Sequence, residues 1–337
     1  METILLKVNP RRPSKRRIQT AAGIIRRGGL VAFPTETVYG LGANALDAEA
    51  VEKIFEVKGR PLDNPVIVHI AKKEELKKFA KEVPKKAKIL AERFWPGPLT
   101  LILKKSEVLP GVTTAGLDTV AIRMPDNKTA LGLISASGVP IAAPSANISG
   151  RPSPTSAKHV MQDLKGKIDA VIDGGAANIG LESTVLDLTA SVPTILRPGG
   201  VTFEELKGVL GKVEKRSIPL GKPRSPGMKY RHYAPKAELI LVRDAEKIPE
   251  IVRKLSGKKI GILATRENAR MYSGIVEVVG SRKNLREVAR NLFNALRKLD
   301  EEGVDVIISE NFEEKGIGLA IMNRLKKAAG KINILLC

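Results

Sequence analysis

Residues 33–70 read FPTETVYGLGANALDAEAVEKIFEVKGRPLDNPVIVHI, and this stretch decides the fold because it sets charged and hydroxyl side chains at the ends of short apolar runs. Residues 30–33 form an apolar run that Pro34 stops. Asp47 is placed to cap a helix with apolar positions Val51, Ile54 and Phe55, and residues 66–70 form a second buried run. Between helix and second run lies Lys58-Gly59-Arg60-Pro61. Two cations flank a glycine on a loop stiffened by Pro61 and Pro65, which makes a concave positive surface suited to polyphosphate. A solvated Lys/Arg loop after a helix is the competing reading of the same tripeptide.

Working outward, 337 residues are long for one core and comfortable for two domains. The 43% hydrophobic and 28% charged residues suit an ordinary soluble globular protein. Apolar runs are broken every few residues, so none approaches the ~20 needed to cross a bilayer. The N-terminus, METILLKVNPRRPSKRR, places its basic cluster after its apolar patch, the wrong order for a secretory signal, so a cytoplasmic protein is expected. One cysteine, Cys337, leaves no internal disulfide or thiolate cage, and three histidines, His69, His159 and His232, argue against a multi-histidine metal site. Lys plus Arg total 57 against 36 Asp plus Glu, a net charge of +21. That excess points to anionic partners, nucleotides or RNA, with general basicity as the plain alternative. Part of it is clustered, at residues 1–30 and 211–236.

Residues 14–28 predict a helix with Ile18, Ala21, Ala22 and Ile25 on one face. Helical patterns at 73–82 and 84–95 end at Trp95-Pro96-Gly97-Pro98, from which a strand over 99–103 leaves. Another strand covers 119–124, Asp126 is expected to cap a helix to Ser137, and Thr155 to cap a further one. Short strands at 169–173, 184–188 and 194–197 follow, and Thr202-x-x-Glu205 is a capping box. This irregular mixture implies an open, twisted mixed sheet with flanking helices. The run 215–236, KRSIPLGKPRSPGMKYRHYAPK, has four prolines and no hydrophobic period and reads as a linker. Beyond it the pattern is regular: strand 238–242, helix 245–255, strand 259–264, short helix 266–272, strand 275–279, helix 283–301, strand 304–309, helix 316–329, strand 332–336. That alternation implies a smaller, parallel, Rossmann-like α/β domain. The expected division is therefore 1–214, linker 215–236, and 237–337.

Gly40-Leu-Gly42-Ala-Asn-Ala45 superficially matches a dinucleotide fingerprint, but the expected strand ends seven residues earlier instead of feeding the glycines. No GxxxxGK[ST] loop occurs, so ATP would have to be held another way. Ser145-Ala146-Asn147 ends the VPIAAP run, where open sheets bind ligands, although an Asx or Ser turn fits equally. Arg123, at the end of TVAIR, suits an ordinary ion pair or a carboxylate ligand. His69 taken alone is a satisfied buried histidine, and Ser183 and Arg197 taken alone are turn residues.

Together, FPTETVYGLGA, KGRPLDNPVIVH, WPGPLTLIL, TVAIRMP, APSANISGRPSPT, ESTVLD, LRPGG and SPGMKYRHYAPK follow in the order found in the YrdC-like threonylcarbamoyl-AMP synthases. The whole chain resembles their two-domain form with a C-terminal extension. That resemblance implies an enzyme that joins L-threonine, bicarbonate and ATP into threonylcarbamoyl-adenylate and pyrophosphate, the first step of threonylcarbamoyl-adenosine formation on tRNA. It assigns Lys58 and Arg60 (KxR) with Ser145 and Asn147 (SxN) to the triphosphate and its transfer. Asn64, Thr119, Ala143 through its backbone, Ser153, Arg197 and Tyr233 match nucleotide-lining positions. Thr35, Thr37, His69, Arg123 and Ser183 match the threonine pocket. Tyr230, Arg231 and Tyr233 of the linker match a lid. Mg²⁺ is expected on the ATP phosphates with no protein metal cage, and a tRNA threonylcarbamoyltransferase complex is expected to receive the product, with weak tRNA binding and no membrane. No activated Ser, Cys or His nucleophile is needed for such chemistry. Two rivals remain open. One is a non-catalytic RNA-binding module. The other is a carbamoyltransfer domain of the hydrogenase-maturation kind, which would carry zinc-binding cysteines.

Overall fold

The computed structural model describes residues 2–215 and 232–330 and the backbone of 334–335. Two units are distinguished: Met1–Ser149 with Pro154–Asn178 and Glu182–Lys229, and Gly150–Ser153 with Ile179–Leu181 and Tyr230–Cys337. The first runs β1 (Ile4–Lys7), α1 (Lys15–Arg26), β2 (Val31–Phe33), β3 (Gly40–Asn44), α2 (Ala48–Lys58), β4 (Ile67–His69), α3 (Leu76–Phe79), α4 (Lys85–Phe94), β5 (Leu99–Lys104), β6 (Thr119–Arg123), α5 (Lys128–Ser137), β7 (Ile141–Ala142), α6 (Ala157–Leu164), β8 (Ala170–Asp173), β9 (Thr184–Asp187), β10 (Thr194–Arg197), α7 (Phe203–Leu210) and β11 (Glu214–Lys215).

Local chemistry sets many of these ends. The Asp47 carboxylate accepts the Ala50 N–H at 3.1 Å to start α2, and Gly59, at φ +58°, turns the chain out of it. Thr202 and Glu205 form the expected reciprocal box at α7. Two other caps lie one residue later than expected. Asn127, not Asp126, accepts from the N–H groups of Thr129 and Ala130, and Ser156, not Thr155, accepts from His159. The 73–82 pattern shortens to a 3₁₀ turn and α3, because the chain leaves α3 at Ala80 to bridge Lys105.

Among the described residues the sheet has eleven strands, ordered β1-β8-β2-β3-β7-β4-β6-β5-β9-β10-β11, with parallel and antiparallel neighbours mixed as expected. Three strands escaped the sequence reading: β1, β3 and the two-residue β11, which pairs with β10 where the linker was expected to begin. β1 is defined by its parallel partner β8, far along the chain. β3 pairs with β2 so that Phe33 faces Gly40 and Val31 faces Gly42. A Cβ on Gly42 would come within 2.8 Å of the Phe33 ring and 2.7 Å of Ile141, so the missing side chain lets Phe33 lie across the strand. This packing need, not a dinucleotide, accounts for the Gly-x-Gly.

Side chains alternate between the two faces of the strands. One set, including Ala32, Leu41, Val68, Leu101 and Ile122, packs with α2, α4, α6 and α7 in the main core. On the opposite face Val31, Phe33, Ile141 and Ala143 pack under α1 and α5. Further along that second face Ile67, Ile102, Ala121, Val185 and Leu196 form a small apolar floor, and no residue of a helix joins it among those described.

The second unit contains β12 (Glu238–Val242), α8 (Ile248–Lys254), β13 (Ile260–Thr265), β14 (Ile275–Gly280), α9 (Leu285–Glu301), β15 (Val306–Glu310), α10 (Gly318–Ala329) and β16 (Ile334–Leu335). Its strands are parallel throughout, in the order β14-β13-β15-β12-β16. The expected helix at 266–272 is only a 3₁₀ turn at Ala269–Met271. Val288, Ala289, Leu292, Leu296 and Leu299 of α9 are buried as their spacing requires. At the end of β15 the fully buried Glu310 accepts from the Thr265 N–H and hydroxyl, Asn268 Nδ2 and Arg282 Nη2 at 2.6–3.0 Å, so its charge is well satisfied. No helix among the described residues is long and apolar enough to cross a membrane.

Candidate active site

Lys58 is the last residue of α2, and the Gly59 turn swings Arg60 after it. Neither is a solvated loop residue: their exposures are 2% and 6%. The Lys58 ammonium donates to the backbone carbonyls of Ser145 and Asn147, which joins the two triplets singled out in the sequence. Arg60 donates from Nε and Nη2 to the Asn64 carbonyl at 3.2 and 3.1 Å, and from Nη2 to that of Pro65 at 3.0 Å, with the Phe55 ring beneath it. Burial, and then the neighbouring Arg60 charge, push the Lys58 pKa well below the usual lysine range, with Asp163 opposing them. A cation held at such cost is stabilised by an arriving anion.

The second group lies at the ends of β4 and β6, whose parallel register sets His69 opposite Arg123. Alternation puts both on the face of the apolar floor, two residues beyond Ile67 and Ala121. The Arg123 Nη2 lies 2.6 Å from the Glu36 carboxylate, both side chains being almost fully buried, and its Nε donates to the Gly97 carbonyl at 3.3 Å. Glu36 stands between Thr35 and Thr37 in the β2–β3 loop, where the two hydroxyls meet at 2.8 Å and Thr35 donates to the Val38 carbonyl at 2.6 Å. The Phe33 ring packs edge-on to His69 with centroids 6.1 Å apart. Burial, and then the Arg123 charge, lower the His69 pKa to about 3, so the ring is neutral at ordinary pH. Nδ1 lies 3.1 Å from the Ile67 carbonyl, to which the ring donates when its proton is on that nitrogen, and the Ile141 backbone also interacts with the ring. Asp126, which does not cap α5, is instead pushed up in pKa by burial and by the charge of Glu36.

A third group forms where β9 begins and β10 ends. Arg197 donates from Nε and Nη2 to the Ser183 carbonyl at 3.1 and 3.0 Å and from Nη2 to its hydroxyl at 3.1 Å, while that hydroxyl meets Thr100 at 2.7 Å. Ser183 and Arg197 are thus direct partners, although one was matched to threonine and the other to the nucleotide. Thr119 is buried at the opposite end of β6 from Arg123. The Ala143 N–H is committed to the Ile67 carbonyl at 2.9 Å, so a backbone contact from Ala143 to a ligand is left to its carbonyl. Ser153 and Tyr233 belong to the second unit, where Tyr233 is buried and stacks on Phe293 at 5.4 Å. Tyr230 and Arg231 lie outside the described residues. Glu36 and Thr100 were not singled out from the sequence, and Asp126 was read only as a helix cap. The one signal for Glu36 was its position between two threonines already matched to the pocket.

Among the described residues no three His, Cys, Asp or Glu side chains converge as metal ligands. What the first group offers is charge: two buried basic side chains, one tied to the backbone of the 145–147 turn and the other to that of residues 64–65. What the second offers is a guanidinium, a carboxylate, a neutral imidazole and two hydroxyls, arranged to read a small polar molecule.

Residues 23–199 match the family profile described as "Telomere recombination", and residues 201–330 that described as "Threonylcarbamoyl-AMP synthase, C-terminal domain". The chain is similar to the threonylcarbamoyl-AMP synthases of Pyrococcus abyssi, at 56% identity with 97% of this chain and 98% of that one covered, and of Bacillus subtilis, at 53% with 93% of each. Its structure is similar to that of P. abyssi Sua5 complexed with L-threonine, at 54% identity, a TM-score of 0.93 and 99% of each chain.

Proposed function

The chain belongs to the Sua5/YrdC family of threonylcarbamoyl-AMP synthases, and from that premise we propose that it joins L-threonine, bicarbonate and ATP into threonylcarbamoyl-AMP and pyrophosphate. The threonine amine combines with bicarbonate to give a carbamate and water. A carbamate oxygen then bonds to the α-phosphorus as the bond to the bridging oxygen of the departing pyrophosphate breaks. Charge grows on phosphate oxygens, so positioned cations supply most of the help and no nucleophilic side chain takes part.

In this reading Lys58 and Arg60 hold the triphosphate, and Ser145 and Asn147 orient it from the turn to which Lys58 is tied. Asn64, Thr119, Ala143 and Arg197 are assigned to the nucleotide. Mg²⁺ fits a position on the phosphates, since around Lys58 the described residues bring one carboxylate, Asp163, and no converging set of metal ligands; it would supply charge neutralisation there. Arg123 takes the amino acid's carboxylate. His69 with the hydroxyls of Thr35, Thr37 and Ser183 reads the side-chain hydroxyl, so valine would leave buried polar groups unpaired. The product would pass to a tRNA-modifying transferase in the cytoplasm, and the chain's positive charge supports weak, salt-sensitive tRNA contact.

The single observation that carries the reading is the Lys58 ammonium tied to both Ser145 and Asn147, which unites KxR and SxN in one anion-binding corner. Pyrophosphate release, with labelled bicarbonate to follow its carbon into the adenylate, tests it. Release is expected only with ATP, Mg²⁺, bicarbonate and L-threonine all present, to fall when serine replaces threonine and to vanish with valine. Pyrophosphate release that does not depend on threonine would overturn it.

A further inference from the structure

We propose that Glu36 is a substrate-positioning residue: with Arg123 it forms a buried pair of opposite charges that reads both charges of an α-amino acid, Arg123 taking the carboxylate and Glu36 the ammonium. This rests on the assignment of Arg123 made above and extends it to the other end of the substrate.

The molecule supplies its own contrast. Glu310, an equally buried carboxylate, collects four donors from Thr265, Asn268 and Arg282, as a structural carboxylate must. Glu36 does not. It forms an ion pair with Arg123 Nη2 at 2.6 Å, and neither Glu36 oxygen nor that nitrogen makes a hydrogen bond of ordinary geometry among the described residues. A lone carboxylate–guanidinium pair out of water is poor value as a stabilising device, because desolvation consumes much of the attraction. The same pair becomes useful if its unspent acceptors and donor meet a ligand. An ammonium brings three donors, and a carboxylate brings acceptors for a guanidinium fork.

The groups facing the pair favour this division of labour. His69 opposite Arg123 is neutral and offers no positive charge. Asp126 adds a second carboxyl near Glu36, close enough to feel its charge. The corner thus holds one guanidinium against two carboxyls, and an ammonium supplies the missing positive charge. Position agrees as well, since Glu36 sits between Thr35 and Thr37 on one rigid turn.

The test compares two ligands on the full chain: L-threonine, and 3-hydroxybutyrate, which keeps the carboxylate and the hydroxyl but lacks the ammonium. Calorimetric binding, by competition where affinity is low, is measured for the wild type, Glu36→Gln and Glu36→Asp. The wild type should prefer threonine strongly. Glu36→Gln should weaken threonine by about tenfold to a hundredfold while 3-hydroxybutyrate binds as well or better, because Arg123 loses its internal competitor. Glu36→Asp, whose carboxylate is set back by one methylene, should keep part of the preference. If Glu36→Gln weakens both ligands by the same factor, Glu36 is only a prop for Arg123 and the inference falls; unchanged threonine affinity overturns it too. Should the Gln variant not fold, an undiminished preference in Glu36→Asp is the overturning result. A wild type that ignores threonine altogether would instead sink the functional reading on which this one stands.

Discussion

Lys58 and Arg60 differ in what they would cost to replace, because one is held by its charge and the other by its shape. Lys58→Met removes the ammonium from a corner where it is poorly solvated, so the fold gains relief from desolvation but leaves the Ser145 and Asn147 carbonyls short of a donor. These effects oppose, and a melting temperature within a few degrees of wild type is expected, whereas pyrophosphate release should fall at least ~100-fold. Arg60→Lys keeps the charge but cannot span the Asn64 and Pro65 carbonyls, so both stability and ATP KM should worsen together. His69 gives a pH signature. Its folded pKa of about 3 lies below the ordinary 6.5. Between those values the unfolded chain binds a proton that the folded chain does not, so its contribution to stability is complete above pH 6.5 and is lost as pH falls towards 3. Denaturation midpoints taken from pH 7 to pH 4 should therefore fall less steeply in His69→Gln than in wild type. The sequence showed Lys58 and Arg60 as candidates because two cations around a glycine are locally unusual. Glu36 gave only the faint signal of lying between two threonines matched to the pocket, since a loop glutamate reads as solvated until the fold brings Arg123 to it.

Elements explain where local patterns ended. Gly199, just beyond β10, meets the backbone of the turn that carries Ser183: an added Cβ would fall 2.3 Å from the Glu182 carbonyl oxygen and 2.4 Å from Thr184 N. Backbone atoms cannot swing aside as a side chain does. Gly199→Ala should thus lower stability by about 1–3 kcal/mol and shift Ser183 away from Thr100 and Arg197, raising the threonine KM. Denaturant unfolding and steady-state kinetics on the same variant check both halves. The helices with a polar cap and a strict apolar stripe, such as α2 and α9, were legible to within a few residues. β1 and β3 were not. β1 exists because of a partner more than 160 residues on, and β3 carries two glycines that propensity counts against a strand. The caps of α5 and α6 slipped by one residue because adjacent positions, Asp126-Asn127 and Thr155-Ser156, both had suitable side chains; Thr155 instead lies against His159, one turn into α6.

At the scale of the whole molecule the sequence composition announced two α/β units and an anionic partner but could not say which anion. The first unit's site accounts for only a few buried cations. The remaining charge is largely on the surface, and a dense part of it is exposed on and beside α1: Arg11, Arg12, Lys15, Arg16, Arg17, Arg26 and Arg27, with no acidic residue in the first turn of that helix. Surface charge of this kind attracts polyanions by counterion release, without base recognition. tRNA should therefore bind with an affinity that falls linearly with the logarithm of salt concentration, and an unrelated RNA duplex should compete nearly as well. Replacing Arg16, Arg17 and Arg26 with Gln should flatten that slope by about two to three units. Pyrophosphate release should not change in the same variant, because the buried corner around Lys58 does not share those residues. A slope that stays put, or a tRNA preference that survives high salt, would mean that shape or bases are being read elsewhere on the protein and that α1 is merely a soluble face.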